Sequence, residues 1–329
     1  MARIVLGIGS SHTPMLNARL DDWPRFIELD RLRQHLDKQG RPVSYEQLLA
    51  IAGESIAPEL RPEVLSARWQ AALAQVDALG AALERAALDT LVVVGDDQKE
   101  LYQSDNLPAI LVYHGETIRN VPLQGRAGPR PPWARAASAR YYEADTPKDY
   151  PVNAALALHI VDHLIEQDFD VAVADGLPEG EGEGHAFGFV HRRLLNGAEL
   201  PVVPVFLNTY YPPNQPTPRR CHALGRQIRA AVESWPGDAR VGVIASGGLS
   251  HFTVDEELDQ RVIAALREHD AEALCTLPRA RLNSGNSEIR NWICMAGATE
   301  HLALRSLEYI PAYRTPAGTG TGLCFAVWE

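Results

Sequence analysis

Two histidines stand directly behind apolar runs that read as buried strands. His12 follows Ile4–Ile8 in the segment GIGSSHTP, and His251 follows Val241–Ala245 in IASGGLSH. Either one alone has a plain structural explanation, since a histidine in a Ser-Ser-His-Thr-Pro turn can satisfy nearby backbone groups. Two at strand ends point to a metal or acid–base site, because imidazole titrates near neutrality and is the commonest metal ligand. The Ser246-Gly247-Gly248 turn ahead of His251 lets the backbone bend tightly or approach a ligand. Glu288 supplies a carboxylate. With Ser287 as the expected N-cap, it falls in the first turn of a helix within Ser284–Leu304, where the helix dipole keeps it ionised, as a metal ligand must be. The plainer reading is a glutamate that merely complements that dipole. His185 lies in EGEGHAFGF, a glycine-rich stretch that reads as a mobile or ligand-facing loop, or as a solvated acidic one.

Further polar residues follow two other strand-like runs: Asp96, Asp97 and Gln98 after Leu91–Val94, and Asn208, Thr209 and Tyr210 after Val202–Leu207. In open α/β sheets ligands bind beyond the carboxyl ends of the strands, so four such loops would share one rim. The elements needed for this are present. Near-continuous apolar runs of four to seven residues, which also include Ala109–Tyr113 and Val171–Ala174, suit strands buried on both faces. Between them, Ala154–Ile165 and Ala223–Val232 carry apolar residues at helical spacing. The alternation predicts an α/β fold: a single large domain, 1–329, with a mostly parallel or mixed central sheet flanked by helices, and Gly322–Trp328 as its last strand. Residues 20–88 read as a helical insertion after the first strand, with a long amphipathic helix over Ser66–Leu88. Residues 115–150, rich in Pro, Gly and Arg, read as a surface excursion.

Composition narrows the partners. The 329 residues are 46% hydrophobic, enough for a large core, and the net charge of −11 disfavours a nucleic-acid partner. No apolar run is long enough for a membrane span, and the N-terminal stretch is too short in apolar residues for a signal peptide, so no membrane partner is expected. Cys221, Cys275, Cys294 and Cys324 lie far apart, which reads as reduced thiols in a cytoplasmic protein. Nucleotide-binding glycine fingerprints and the GxSxG elbow of serine hydrolases are absent.

Taken together, the segments Gly7–Pro14, Gly95–Gln98, Asn208–Ser234, Ser246–His251 and Gly285–Trp292 resemble the class III extradiol dioxygenases, of the protocatechuate 4,5-dioxygenase β subunit, gallate and 3-O-methylgallate dioxygenase type. The resemblance implies a non-haem Fe(II) centre, with Mn(II) as the alternative, that opens the ring of a small aromatic diol with O2. It also implies a homodimer. By motif, His12 and Glu288 match metal ligands, His251 the acid–base residue and His185 a second active-site histidine. The family pattern after the second strand is Asn-Asp-His, whose histidine binds iron. Here the residues are Asp96-Asp97-Gln98, which puts Gln98 in the metal-ligand place, with Asp97 or Glu100 as alternatives. A carboxylated catechol or gallate is the implied substrate. Tyr210, Asn208 and Arg290 are the expected substrate-binding residues, while Tyr211, Arg219 and Arg220 are further candidates. The departure at Gln98 keeps two other readings open: a catalytically degenerate relative that acts as a binding protein, and a metal hydrolase.

Overall fold

The computed structural model describes residues 1–123 and 130–329; residues 124–129, part of the expected surface excursion, lie outside the described residues. The apolar runs become strands of one mixed sheet of nine: β1 (Arg3–Ser10), β2 (Thr90–Asp96), β3 (Ile110–Tyr113), β4 (Ala172–Ala174), β5 (Val202–Leu207), β6 (Arg240–Ser246), β7 (His251–Thr253), β8 (Leu304–Tyr313) and β9 (Thr319–Trp328). At the centre, β1, β6, β2 and β5 run parallel side by side. β3 turns antiparallel to β5 and carries β4 at the edge. On the other side β9 lies antiparallel to β1, with β7 sharing that edge and β8 covering the opposite one. Strands β7 and β8 have no counterpart among the expected runs. β7 is only three residues long, and β8 interleaves Arg305, Ser306 and Glu308 with its apolar residues.

The helices that concern the site are α1 (Pro62–Ala86), α2 (Ala154–Glu166), α3 (His185–Phe189), α4 (Pro218–Ser234), α5 (Glu256–Glu268) and α6 (Ile289–Ala298). Period-two alternation sorts each central strand onto two cores. Val92 and Val94 face α4 and α6 through Leu224, Ile228, Trp292 and Ile293. Leu91 and Val93 face the other way, toward Leu79 and Leu83 of α1 and Phe187 of α3.

The insertion is mainly helical, as expected, but it also folds a two-stranded ribbon, His35–Leu36 against Pro42–Val43. A capping box at Ser44 and Gln47 starts the helix Tyr45–Ala52 behind it. The ribbon leans on the rim of the sheet, where Thr253 Oγ1 donates to Leu36 O at 2.9 Å and the Arg33 guanidinium stacks 3.7 Å above the Phe252 ring. Beneath it Arg314 grips Asp30 with both arms, at 2.9 and 2.6 Å, and Thr319 Oγ1 donates to the same carboxylate at 2.7 Å.

Burial alone would raise the Asp30 pKa, but the Arg314 guanidinium outweighs it and holds the carboxyl below its ordinary value. Breaking a buried pair leaves an uncompensated charge, so Asp30→Asn is expected to cost about 3–5 kcal/mol, read as a lower urea midpoint at pH 7. Since the folded pKa lies below the unfolded one, this stability is fully present above about pH 4 and is lost as pH falls through the depressed value. The acid-side decline should therefore be shallower in Asp30→Asn. A midpoint equal to that of the wild type at pH 7 would show that the pair does not hold the insertion down.

Candidate active site

His12 sits in the turn after β1, which β9 pins on both sides: Ser11 N donates to Cys324 O at 3.0 Å and Cys324 N to Ser11 Oγ at 2.9 Å. Its Nδ1 lies 3.0 Å from Ser246 Oγ at the end of β6, and that hydroxyl spends its single proton on Ala186 O at 2.6 Å. Ser246 must then accept from His12 Nδ1–H, which leaves Nε2 with its lone pair in the neutral ring. Nε2 is buried and among the described residues makes no hydrogen bond, although Glu288 Oε2 is only 3.3 Å away.

Glu288 differs in detail from expectation. A 3-10 turn, Ser284–Glu288, precedes α6, so Glu288 itself is the residue ahead of the helix and Ser287 is not its cap. The Gly248 amide donates to Oε2 at 2.8 Å, and His251 Nε2 lies 3.4 Å from the same oxygen. Burial raises the Glu288 pKa, while positive charge on the imidazoles of His251 and His12, when they are protonated, and the Gly248 amide lower it. His251 hydrogen-bonds Leu249 O through Nδ1 at 3.0 Å, so its Nε2 is also the lone-pair nitrogen facing the cluster, and burial lowers its pKa. The next residue, Phe252, has φ +67, a strained setting for an aromatic residue, of the kind that clusters at functional sites.

His185 is not in a mobile loop. It opens α3, and Glu183, two residues earlier, is fully buried with Asn120 Nδ2 at 2.7 Å and His191 Nδ1 at 2.9 Å. His185 Nδ1 pairs with Glu100 Oε2 at 2.8 Å, and the ring packs edge-on to His12 with centroids 4.6 Å apart. Burial opposes its charge, but the Glu100 carboxylate prevails and carries the His185 pKa up to about 10. The backbone of His12 is held in turn by the Tyr141 hydroxyl, from the segment expected to be a surface excursion.

The loop after β2 faces the cluster. Gln98 Nε2 donates to Asp96 Oδ2 at 3.0 Å and to Glu288 Oε1 at 3.1 Å. Asp97 points elsewhere: its carboxylate accepts the amides of Glu100, Leu101 and Tyr102, which consumes it in shaping the loop. Asp96 is the residue the sequence reading passed over as a ligand. It is wholly buried beside Glu288, and burial followed by that neighbouring charge raises its pKa. Strand alternation was the available signal, since position 96 follows 92 and 94 onto the α6 face.

The expected substrate residues separate. Tyr210 reaches the rim, its hydroxyl 3.5 Å from Ser284 Oγ. Asn208 instead folds its own loop, bonding Tyr211 N and O at 3.0 and 2.8 Å. Arg290 is fully buried and gives Nε and one terminal nitrogen of its guanidinium to backbone carbonyls, chiefly Pro216 at 2.8 Å and Leu282 at 2.7 Å. Arg219 pairs with Glu272 and Arg220 with Asp168 O, both away from the cluster.

Gly285 leaves room for His251, because a Cβ there would collide with the His251 side chain. Gly285→Ala should therefore displace the imidazole, and with the acid–base role that the resemblance gives His251 it should lower turnover about 100-fold. A near-normal rate would show that the His251 position is not critical.

A mixed α/β sheet with a buried histidine–carboxylate centre beyond its parallel strands is the class these features define. Residues 135–323 match the family model for the catalytic LigB subunit of aromatic ring-opening dioxygenase, and the chain belongs to that family. It is 35% identical to a gallate dioxygenase of Pseudomonas putida over 195 residues, 54% of this chain and 55% of that protein. Two proteins named 2,3-dihydroxyphenylpropionate/2,3-dihydroxicinnamic acid 1,2-dioxygenase are also similar. The one from Comamonas testosteroni is 36% identical over 31% of each chain, and the one from Cupriavidus necator 33% identical over 35% of this chain and 37% of its own. The matched stretch thus spans about half the length of the first relative and about a third of the others.

Proposed function

We propose that the protein is an extradiol dioxygenase that opens the ring of a carboxylated catechol or gallate-type substrate with O2 at a divalent metal, Fe(II) or Mn(II). The observation that carries this reading is the meeting of His12 Nε2, a buried lone-pair nitrogen without a hydrogen bond, with the Glu288 carboxylate at 3.3 Å. A nitrogen lone pair and a carboxylate repel unless a cation lies between them, so the residues fit a metal ion. His12 and Glu288 would hold it, with a third ligand from residues 96–98. When bound, the ion would orient the vicinal diol and pass electron density between ring and O2.

The protein supplies position and proton traffic. His251, neutral and presenting Nε2, accepts the proton of a substrate hydroxyl. His185, charged against Glu100, holds a proton for return to oxygen as the O–O bond breaks. Tyr210 and the ribbon residues Leu36 and Lys38 flank the approach, where a pocket reaches His251, Phe252 and Ser284. The four cysteines, all free, suit a reducing compartment, and the cytoplasm is the proposed location; no helix among the described residues is long and apolar enough to cross a membrane. A homodimer is proposed on the resemblance alone.

The test is O2 consumption by the metal-loaded protein with gallate, 3-O-methylgallate, protocatechuate and uncarboxylated catechol. Uptake is expected with the carboxylated diols, together with the absorbance of a ring-opened product. Metal-loaded protein that consumes no O2 with any of them would overturn the reading.

A further inference from the structure

We propose that Asp96 is a metal ligand, so that this chain holds its ion with one imidazole, His12, and two carboxylates, Asp96 and Glu288, while Gln98 ties the carboxylates together as a hydrogen-bond donor. The inference rests on the reading above that the centre takes a divalent metal, and it names the third ligand.

Asp96 is 0% exposed, at the last position of β2. Its polar partners are neutral amides: Gln98 Nε2 at 3.0 Å and, at a long 3.4 Å, Asn291 Nδ2. Among the described residues no lysine or arginine pairs with either Asp96 or Glu288. A buried carboxylate is costly unless paired, and here two share one enclosed space. Ring nitrogens of His12 and His185 and an oxygen of Asp96 lie within 4.8 Å of one another, and His12 Nε2 stands 3.3 Å from Glu288. The His12 nitrogen is the independent sign of a ligand: it is buried, carries a lone pair, makes no hydrogen bond and is aimed at the two acids.

The rival donors are already committed. Gln98 spans Asp96 and Glu288 with its amide nitrogen, at 3.0 and 3.1 Å. Turning that amide to present its oxygen would set a third oxygen against two carboxylates. Asp97 is used by three backbone amides and Glu100 by His185. His185 gives its Nδ1 and its backbone amide to Glu100, which leaves its other ring nitrogen beside the cluster, and in this proposal that nitrogen holds a proton.

A set with two carboxylates and one imidazole is harder and more anionic than one with two imidazoles. It favours Mn(II) relative to Fe(II) more than the two-histidine set does. Loss of an outer partner typically costs 10–100-fold in metal affinity, and loss of a ligand costs more.

The experiment titrates the full-length apoprotein with Mn(II), followed by the electron paramagnetic resonance of the free ion, and with Fe(II) under nitrogen. Wild type should bind one ion per chain. Asp96→Asn should weaken Mn(II) by more than about 100-fold, and Gln98→Ala by no more than about 10–100-fold. The double change Asp96→Asn with Gln98→His restores a third donor; it should regain metal and lower the Mn(II)-to-Fe(II) affinity ratio on the order of tenfold. That rescue separates a lost ligand from a lost fold. Asp96→Asn that binds Mn(II) as tightly as wild type, in a protein that still consumes O2 with aromatic diols, would overturn this inference and leave the dioxygenase reading standing. Wild type that binds neither ion would overturn both.

Discussion

Glu288→Gln is expected to strip the metal from the centre and reduce ring cleavage to background. The change is nearly isosteric, so its effect should come from charge. Four groups converge on this carboxylate: the Gly248 amide at 2.8 Å, Gln98 Nε2 at 3.1 Å, His12 Nε2 at 3.3 Å and His251 Nε2 at 3.4 Å. Only the first two bring protons in the neutral state, and the two imidazole nitrogens bring lone pairs. A glutamine in that place would have to turn either its oxygen or its NH2 toward them, and neither supplies the anion that a divalent ion needs. Metal analysis after purification without chelator, together with O2 uptake on gallate, would read the effect. Stoichiometric metal and normal turnover in this variant would remove Glu288 from the centre.

His251→Phe should behave oppositely: metal retained, turnover down by about 10²–10⁴-fold, the usual contribution of a general acid–base group. The ring is buried and locked by Leu249 O, Asn286 receives the His251 amide, and Asp259 clasps the adjacent Ser250 at 2.6 Å. Phenylalanine fills the same space without a proton-accepting nitrogen. A rate near that of wild type, with metal in place, would make His251 a structural residue of its glycine-rich turn. Loss of metal with the rate would place it among the ligands instead.

Much of the fold was legible because parallel strands buried on both faces must be apolar at every position. Val202–Leu207 was read to the residue, and the β2 and β6 runs fell within one or two residues of the strands observed. What escaped was written in weaker patterns: β8, half polar, and the ribbon inside the insertion, where two residues a side leave no period to detect. Strand-end position singled out His12 and His251, the expected helix start singled out Glu288 and a glycine-rich stretch His185, and their side chains meet in one cluster. Direction is what a linear sequence hides. Asp96 and Asp97 are neighbours with the same chemistry, yet the pleat turns one into the cluster while the other caps its own loop. Arg290 lies within two residues of Glu288 and was expected at the substrate, but the helical turn sends it into the core.

The position of β1 also governs when the centre can exist. Its parallel neighbour is β6, with Arg3 beside Arg240, and its antiparallel neighbour is β9, with Gly7 beside Trp328. Both partners lie more than 230 residues further along the chain. Contacts so distant along the chain close slowly, because loop entropy is spent before pairing returns anything. The His12 turn hangs from Cys324, and its imidazole from Ser246, so neither support is available to a half-made protein. On the proposed metal reading, a bound ion would report that β6 and β9 have both paired with β1.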